Sequence, residues 1–390
     1  MIKKNLSLLI YSLAGGGAER VVSLLVHELR EEFNITLVLM HDKIDYDIPN
    51  DIKIHFLENS NPNENGIKKL LKLPLLGLKY KKFCQKNNID VSLAFMNRPS
   101  YVAIFSKIFG NRAKNIISER TTPSMMYRHD TLLSKVSKIL IKKLYPKADF
   151  IIANAEGNRL DLIDNFYIDE AKIITIPNLF DLEKIENLSN EPVAKIIFNK
   201  FTFVTVGRLD KGKNHKLMIN AFSKLENSST QLIILGEGVE RERLEEQIRT
   251  LNLTNRVFLM GFDNNPYKYF SKSDVFLFTS LYEGFPNVLV EALACGLPVI
   301  SSDCKSGPRE ILAPKSDVQF QLEQGLEIAE YGILIPVDRE EELIQAFVKI
   351  LSNDGLKKHY QTQSKSRANF FDKKVITKEF ITLLEQVLPK

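Results

Sequence analysis

Residues 275–291 have the sequence VFLFTSLYEGFPNVLVE, which indicates a buried strand, a loop and a helix in succession. Its first four residues form an apolar run that predicts a buried strand of a parallel sheet. Residues 289–294 have an apolar helical pattern, and Pro286 suits the first turn of that helix. Glu283 is therefore expected on the loop at the carboxyl end of the strand, and Glu291 about two turns into the helix.

The start of such a helix offers unpaired backbone N–H groups and the positive end of the helix dipole, which together form an anion site. With a carboxylate on either side, this arrangement suits a ligand with phosphate in its middle and hydroxyl-rich groups at both ends. A nucleotide diphosphate-sugar is such a ligand. The alternative is that Glu283 is a loop charge and Glu291 a solvated helix carboxylate, and the flanking sequence favours the ligand site.

Length and composition indicate a globular protein of two domains. The chain has 390 residues, of which 44% are hydrophobic and 26% charged, so each domain can have its own core. Cys84, Cys295 and Cys304 are widely spaced, which predicts a reducing cytoplasm and neither disulfides nor a zinc site. We expect a first strand rather than a signal peptide near the amino terminus, and no membrane span.

The net charge of +5 lies in the first half of the chain. Two stretches, 67–86 and 134–147, contain lysines interleaved with apolar residues and have no acidic residue. The first of them includes Lys68, Lys69, Lys72, Lys79, Lys81 and Lys82. Such stretches predict contact with an anionic membrane surface; ordinary amphipathic helices are the alternative. The charge excess is too modest to predict nucleic-acid binding.

Short apolar runs alternate with longer helical patterns, which predicts parallel sheets covered by helices on both faces. In the first half, strands are predicted at 6–11, 35–40, 52–57, 91–95, 115–118, 150–153 and 173–176. In the second half, strands are predicted at 201–206, 231–235, 257–260, 275–278 and 298–301. Residues 313–331 form a polar insertion to which no element is assigned.

Weak patterning around 177–200 indicates the junction of two doubly wound, Rossmann-like α/β domains. We predict a first domain at 1–185, a linker at 186–200, a second domain at 201–370 and a C-terminal helix at 371–390 that packs back on the first domain. Ligands bind at the carboxyl ends of the strands in such sheets. Two domains that face one another across a cleft would each contribute a site.

A glycine loop follows the first predicted strand. Gly15, Gly16 and Gly17 precede Glu19 at the start of a helix. Glycines there let the backbone approach a ligand closely, and the helix start favours a phosphate or a developing anion. The spacing is not the dinucleotide fingerprint, and a plain tight turn is the alternative.

A basic loop, GRLDKGKN at 207–214, follows the first strand of the second domain. The guanidinium of Arg208 and the ammonium of Lys213 suit a diphosphate clamp. Arg208 and Lys213 would do the work that a divalent metal does in other phosphate-transfer sites. We therefore expect no metal and no cofactor here. Gly236 and Gly261 follow the next two strands. Their loops suit a nucleoside base, and ordinary turns without a ligand are the alternative. His215 is expected to face solvent.

The order of GGGAER, GRLDKGKN, LGEG and EGFPNVLVEALACGLPVI resembles that of the retaining GT-B glycosyltransferases over nearly the whole chain. The resemblance implies the GT-B fold, with C-terminal helices returning to the first domain. It also implies that Arg208 and Lys213 hold the donor diphosphate, that Glu283 contacts the donor sugar and that Glu291 binds the ribose hydroxyls.

Further roles follow from the same resemblance. Backbone groups of the segment that contains Phe285, Pro286, Asn287 and Val288 receive phosphate or sugar oxygens, and the glycine loop faces the reacting centre and the acceptor. One departure concerns a histidine that many members have after a strand of the first domain. Glu119 and Arg120 stand there, and either is a candidate replacement.

The segments NRPSYVA, ERTTPSMMY and KSGPRE are similar to those of bacterial transferases that add GalNAc to a lipid-linked sugar for N-linked protein glycosylation. This implies UDP-GalNAc as co-substrate, an undecaprenyl-diphosphate-linked glycan as acceptor, an alpha-1,4 bond and a peripheral position on the cytoplasmic face of the cell membrane. Glu310, in KSGPRE, is expected to help position the donor.

Three alternatives remain open from the sequence. One is a transferase of the same family that acts in lipopolysaccharide or capsule assembly. A sugar-nucleotide epimerase also has paired α/β domains but needs no acceptor, and the basic stretches argue modestly against it. A non-catalytic lipid-binding or partner-binding protein would leave the clamp idle, and the presence of Arg208, Lys213 and Glu283 together argues against that.

Overall fold

A computed structural model of the protein describes residues 3–59, 64–193 and 196–388. The chain forms two compact units, one of Met1–Phe180 with Lys373–Lys390 and the other of Asp181–Asp372. Each unit has a seven-stranded sheet with helices connecting its strands. The predicted pair of doubly wound α/β domains is confirmed.

The sheet of the first unit is parallel, with strand order β3-β2-β1-β4-β5-β6-β7. Its strands are β1 (Lys4–Ile10), β2 (Phe33–Leu39), β3 (Lys53–Phe56), β4 (Val91–Phe95), β5 (Lys114–Glu119), β6 (Phe150–Ala153) and β7 (Ile173–Thr175). Each strand lies within one or two residues of its predicted position. The inner strands are largely buried, as continuous apolar runs predict, whereas the edge strand β3 is mostly exposed.

Helices cover both faces of this sheet. They are α1 (Gly17–Leu29), α2 (Gly66–Leu71), α3 (Leu73–Lys86), α4 (Asn97–Ile108), α5 (Pro123–Met126), α6 (Leu132–Leu144), α7 (Glu156–Phe166) and, from the end of the chain, α16 (Lys373–Val387). Leu9 belongs to one core cluster and its neighbours Leu8 and Ile10 to another, as the alternation of side chains along a strand requires. Phe380 of α16 is buried in the second of these clusters.

The second unit has strand order β10-β9-β8-β11-β12-β14-β13, parallel except for the pair β13 and β14. Its strands are β8 (Phe201–Val206), β9 (Thr230–Leu235), β10 (Val257–Gly261), β11 (Val275–Phe278), β12 (Val299–Ser302), β13 (Glu327–Ile328) and β14 (Ile333–Ile335). The last two were not predicted. β13 has two residues and β14 three, too few to show a period.

The helices of the second unit are α8 (Leu182–Ser189), α9 (His215–Ser223), α10 (Arg241–Thr250), α11 (Tyr267–Phe270), α12 (Asn287–Ala294), α13 (Pro308–Leu312), α14 (Glu340–Leu351) and α15 (Asp354–Ala368). The units change after Phe180, earlier than the predicted boundary at 185, and part of the predicted linker is helical. Asp181 caps α8 by accepting the N–H of Lys184 at 3.0 Å, and Ile185 is buried. Because α8 packs on α11 and α12, it belongs to the second unit.

Within the part of the chain that the structure describes, no helix combines the length and the apolar character that crossing a membrane requires.

Candidate active site

The strand order of the second unit creates a topological switch point between β8 and β11. From β8 the sheet continues through β9 and β10 on one side, and from β11 through β12 on the other. The loops that leave the carboxyl ends of β8 and β11 therefore diverge, and open α/β sheets bind their ligands in the crevice this leaves. Lys213 lies on the first of these loops and Glu283 on the second.

Backbone contacts hold these two loops together. The N–H of Leu281 donates to the carbonyl of Gly212 at 2.8 Å, and the hydroxyl of Thr279 donates to the carbonyl of Lys213 at 3.0 Å. As a result, the ammonium of Lys213 donates to the carboxylate of Glu283. The exposed fractions of the two side chains are 24% and 15%, so the pair is partly accessible from solvent.

Arg208 lies on the same loop as Lys213. Its side chain is 85% exposed, and its Nε lies 3.6 Å from a carboxylate oxygen of Asp210. An ion pair this exposed is weak, so the guanidinium is available to a bound anion. Arg208 and Lys213 thus lie on one loop at the switch point, and their action as a diphosphate clamp stays a prediction.

Glycines pack the loops after β8, β9 and β10 backbone to backbone. The N–H of Gly207 donates to the carbonyl of Leu235 at 3.0 Å, and the N–H of Gly236 to the carbonyl of Gly261 at 2.8 Å. Gly236 has φ +137°, and a Cβ there would overlap the carbonyl oxygen of Gly207. Gly236 and Gly261 therefore build a surface of main-chain groups next to the basic loop.

The segment that begins α12 is firmly held. Pro286 occupies the cap position and the helix starts at Asn287, one residue later than predicted, so Val288 lies in the first turn. The hydroxyl of Ser306 donates to the carbonyl of Gly284 at 2.7 Å. The ring of Phe285 is buried. The backbone of this segment is thus fixed where the predicted anion site lies.

Glu291 is buried, and Glu310 is bonded to the backbone at the start of a helix. Glu291 lies in the second turn of α12 and is only 3% exposed; burial and the Glu291 charge raise the pKa of Cys295 to about 12. Glu310 accepts the N–H of Gly307 at 3.2 Å and so caps the start of α13. The structure gives Glu310 a capping role, and donor positioning by it stays a prediction.

The prediction that His215 faces solvent is wrong. His215 is the first residue of α9 and is 3% exposed. Burial, together with the nearby charge of Lys213, lowers the pKa of His215 to about 4. The imidazole is therefore neutral near pH 7.

The glycine loop of the first unit lies at the carboxyl end of β1. Gly15 has φ +68°, and Gly16 caps α1, which starts at Gly17. The hydroxyl of Tyr46 donates to the carbonyl of Gly16 at 3.0 Å. The Glu19 carboxylate occupies the space where a Cβ of Gly16 would be, and burial raises the pKa of Glu19. The structure thus brings Glu19 and the three glycines together.

Glu119 and Arg120 are buried and bonded within the first unit. One oxygen of Glu119 accepts the backbone N–H of Arg120 at 2.9 Å, and the other accepts the hydroxyl of Tyr145 at 2.7 Å. Arg120 donates to the side-chain oxygen of Asn178 at 2.7 Å. Burial raises the pKa of Glu119 and lowers that of Arg120 to about 9. These contacts give both residues an internal role, and a sugar contact by either stays a prediction.

The first unit has its own switch point, between β1 and β4. Two polar residues there, Asn97 and Arg98, were not predicted as site residues from the sequence. Asn97 and Arg98 begin α4 directly after β4. Arg98 donates to Glu58 at 2.9 Å, and its guanidinium carbon lies 5.8 Å from the centre of the Tyr11 ring. Their position directly after an apolar run was the signal that could have identified them.

The lysines of the two basic stretches lie on helices. Lys68 and Lys69 belong to α2, and the predicted lysines at 79, 81 and 82 belong to α3. Lys72 stands where α2 meets α3 and donates to Glu64 at 2.6 Å.

The fold and the site together define a glycosyltransferase of the GT-B class. Glycosyl transferases group 1 match residues 190–367 and Glycosyltransferase Family 4 matches residues 15–184. Among solved structures, Anabaena Alr3699/HepE in complex with UDP has a TM-score of 0.75 at 20% identity, covering 99% of this chain and 100% of that one. Sucrose-phosphate synthase from Thermosynechococcus elongatus has a TM-score of 0.79 at 18% identity, covering 99% of each chain.

Two relatives come from Campylobacter jejuni. One is the N-acetylgalactosamine-N,N'-diacetylbacillosaminyl-diphospho-undecaprenol 4-alpha-N-acetylgalactosaminyltransferase, 45% identical over 98% of this chain and 99% of that protein. The other is 24% identical over 98% of this chain and 99% of that protein. It is the GalNAc-alpha-(1->4)-GalNAc-alpha-(1->3)-diNAcBac-PP-undecaprenol alpha-1,4-N-acetyl-D-galactosaminyltransferase. The chain belongs to the glycosyltransferase family of which the first of these enzymes is a member.

Proposed function

We propose that this glycosyltransferase moves GalNAc from UDP-GalNAc, with retention at the anomeric carbon and through an alpha-1,4 bond, to an undecaprenyl-diphosphate-linked oligosaccharide. The names of the two Campylobacter jejuni relatives support GalNAc as the sugar and the undecaprenyl-diphosphate-linked glycan as the acceptor. The product would serve protein N-glycosylation, and the protein would act as a peripheral enzyme on the cytoplasmic face of the membrane.

The observation that carries the proposal is the meeting of Lys213 and Glu283 at the switch point of the second unit, with Arg208 on the same loop. A UDP-sugar has a doubly charged diphosphate between its ribose and its sugar. Arg208 and Lys213 supply the two positive charges that such a group needs, and Glu283 supplies an acceptor for sugar hydroxyls.

The donor would lie along the rim of the second sheet. Its diphosphate would meet Arg208, Lys213 and the N–H groups at the start of α12, where the helix dipole favours negative charge. The main-chain surface at Gly236 and Gly261 suits the uracil base, and Glu291 is the candidate for the ribose hydroxyls. Since Lys213 is paired with Glu283 in the structure, the diphosphate competes with that carboxylate for the ammonium.

In the transfer step, the bond between the anomeric carbon and the diphosphate oxygen breaks, and the acceptor hydroxyl forms a bond to that carbon from the same face. The proton of the hydroxyl passes to the departing diphosphate. Charge grows on the diphosphate as it leaves, so Arg208, Lys213 and the helix N–H groups stabilise the transition state. Preorganised groups of this kind contribute several kcal/mol. No metal is assigned to this step.

A glycosyltransferase of lipopolysaccharide assembly is the second candidate. A lipopolysaccharide 1,6-galactosyltransferase of Salmonella typhimurium is 27% identical over 67% of this chain and 77% of that protein. The two candidates differ in donor sugar and acceptor, so a donor panel separates them.

The experiment is mass spectrometry of a lipid-linked oligosaccharide acceptor after incubation with the enzyme and one donor at a time: UDP-GalNAc, UDP-GlcNAc or UDP-Gal. Addition of one N-acetylhexosamine from UDP-GalNAc alone is the expected result. Transfer from UDP-Gal would favour the second candidate. Conversion of the donor without any acceptor product would indicate the epimerase alternative.

A further inference from the structure

The two basic stretches, which are far apart in the sequence, border one apolar groove in the first unit. The groove has a volume of about 640 Å³ and lies among α2, the start of α3, α4 and α6. Its lining includes Ile67, Leu70, Leu71, Phe105, Leu133 and Val136. We call this feature the apolar groove.

Large apolar side chains at the apolar groove are open to water. Leu71 is 76% exposed, Leu132 74% and Ile67 60%. A contiguous exposed apolar surface of this kind usually marks a site that binds another molecule. Burying such side chains is favourable by roughly 25 cal/mol per Å² of apolar area. The occupant must therefore present a hydrocarbon surface.

The helices that line the apolar groove also have exposed lysines. These are Lys68 on α2, Lys79, Lys82 and Lys86 on α3, and Lys135, Lys142 and Lys143 on α6. The stretches 67–86 and 134–147 contain no acidic residue. Acids from neighbouring segments pair with two of their lysines, Glu58 and Glu64 with Lys72 and Asp130 with Lys135, but the lysines outnumber these acids, so the surroundings attract anions. The occupant thus combines a hydrocarbon with negative charge. A concave groove suits a single chain, whereas a flat bilayer surface is better matched by a convex face.

Charged contacts link the apolar groove to the carboxyl ends of the first sheet. Lys72, at the junction of α2 and α3, lies 3.6 Å from one oxygen of Glu58, and the other oxygen accepts a hydrogen bond from Arg98 at 2.9 Å. Arg98 follows β4 at the switch point. Leu71 and Leu73, on either side of Lys72, line the apolar groove, so these contacts place the groove next to the rim where the glycine loop lies.

We propose that the apolar groove binds the isoprenoid chain of the diphosphate-linked acceptor. The identity of the chain rests on the proposed function, whereas the groove, its charge and its position do not. Binding one chain out of the bilayer would present the attached glycan to the enzyme, with the lysines near the negative diphosphate.

A tryptophan reporter tests this directly, because the chain contains no tryptophan. Leu133→Trp places the indole in the groove, and Ile139→Trp is the matched control, since Ile139 is 58% exposed on the same helix and does not line the groove. The probes are geranylgeranyl diphosphate below its micelle concentration, inorganic diphosphate, and vesicles of anionic phospholipid.

We expect a saturable blue shift of Leu133→Trp emission with geranylgeranyl diphosphate and none with inorganic diphosphate. Ile139→Trp should not respond to either. Adding Leu71→Glu, which puts a charge at an exposed position of the groove, should weaken binding about tenfold or more. A response at both tryptophans, a response only to vesicles, or binding unaffected by Leu71→Glu would overturn the proposal.

Transfer assays keep this proposal distinct from the proposed function. If no UDP-sugar is transferred but the groove responds, the function fails and the groove stands. If wild type transfers, Leu71→Glu should lower kcat/KM about tenfold for an undecaprenyl acceptor. The same variant should leave kcat/KM unchanged for an acceptor with a short, water-soluble chain. Equal losses with both acceptors would overturn the groove assignment.

Discussion

The ammonium of Lys213 donates to the carboxylate of Glu283, although 70 positions separate the two residues in the chain. They meet because β8 and β11 are neighbours in the sheet and because Thr279 and Leu281 bind the backbone of the Lys213 loop. The pair thus places a positive charge next to a carboxylate at the position where a UDP-sugar is proposed to bind.

Glu283→Gln should uncouple donor binding from transfer. Without the carboxylate, Lys213 loses its competitor for the diphosphate, so UDP should bind about fivefold tighter, the equivalent of about 1 kcal/mol. Transfer should nevertheless fall by about tenfold or more, because the proposed contact of Glu283 to the donor sugar is weakened. Calorimetry with UDP and a transfer assay measure the two effects.

The control is Glu330→Gln. Glu330 pairs with Lys315 at 3.1 Å, so its charge also balances a lysine, but outside the loops that leave β8 and β11. This variant should leave UDP affinity unchanged. Weaker binding of UDP to Glu283→Gln would show that Glu283 supports the diphosphate site and does not compete with it.

Gly236→Ala should disturb the loops of the donor site. The added Cβ would overlap the carbonyl oxygen of Gly207, and relieving this requires a shift of the backbone that costs about 1–3 kcal/mol. Gly325→Ala is the matched control, since Gly325 also has positive φ but open space around it. Urea unfolding should show a larger loss for Gly236→Ala, together with a raised KM for the donor. Equal losses of unfolding free energy in the two variants would mean that the positive φ, and not the overlap with Gly207, accounts for both.

His215 should make stability depend on pH. Burial lowers the folded-state pKa to about 4, below the ordinary value of 6.5, so the unfolded chain takes up a proton that the folded one does not. The free energy of unfolding should therefore fall as pH drops from about 6.5 to about 4, by about 2 kcal/mol between pH 7 and pH 5. His215→Asn should remove this part of the slope, which unfolding in urea at both pH values can measure. An identical slope in the variant would contradict the burial argument.

Arg309 should be important for stability of the second unit. It pairs with Asp303 at 2.7 Å, and the two side chains are 5% and 1% exposed. Arg309→Met leaves a buried carboxylate without its main partner, which costs about 3–5 kcal/mol. Lys315→Met removes a pair with Glu330 whose lysine is 84% exposed, and should cost less than about 1 kcal/mol. Comparable losses in thermal unfolding would contradict this ranking.

Local sequence signals predicted most of the strands and the residues that follow them. The runs at β8 and β11 are continuous and apolar, and Lys213 and Glu283 follow them, so both residues could be placed on one rim. β14 was not predicted because Ile333–Ile335 is too short to show a hydrophobic period. His215 was misplaced because its burial depends on residues distant in the chain, which a local charged pattern does not reveal.

The apolar groove could not be predicted either. Each basic stretch by itself has the pattern of an amphipathic helix, and the sequence predicted only that both contact a membrane surface. That α2 and α6 approach one another, with Gly66 near Leu133, is a tertiary contact. The internal hydrogen bonds of Glu119 likewise depend on Tyr145, which lies beyond the reach of a local pattern.

The proposed role of Lys213 is tested by the rate of GalNAc transfer from UDP-GalNAc to a lipid-linked acceptor in wild type, Lys213→Met and Lys211→Met. Lys211 is an exposed lysine of the same loop, so both variants remove one positive charge. We expect a rate lower by about two orders of magnitude for Lys213→Met and an unchanged rate for Lys211→Met. Wild-type transfer by Lys213→Met would contradict the claim that Lys213 stabilises the departing diphosphate.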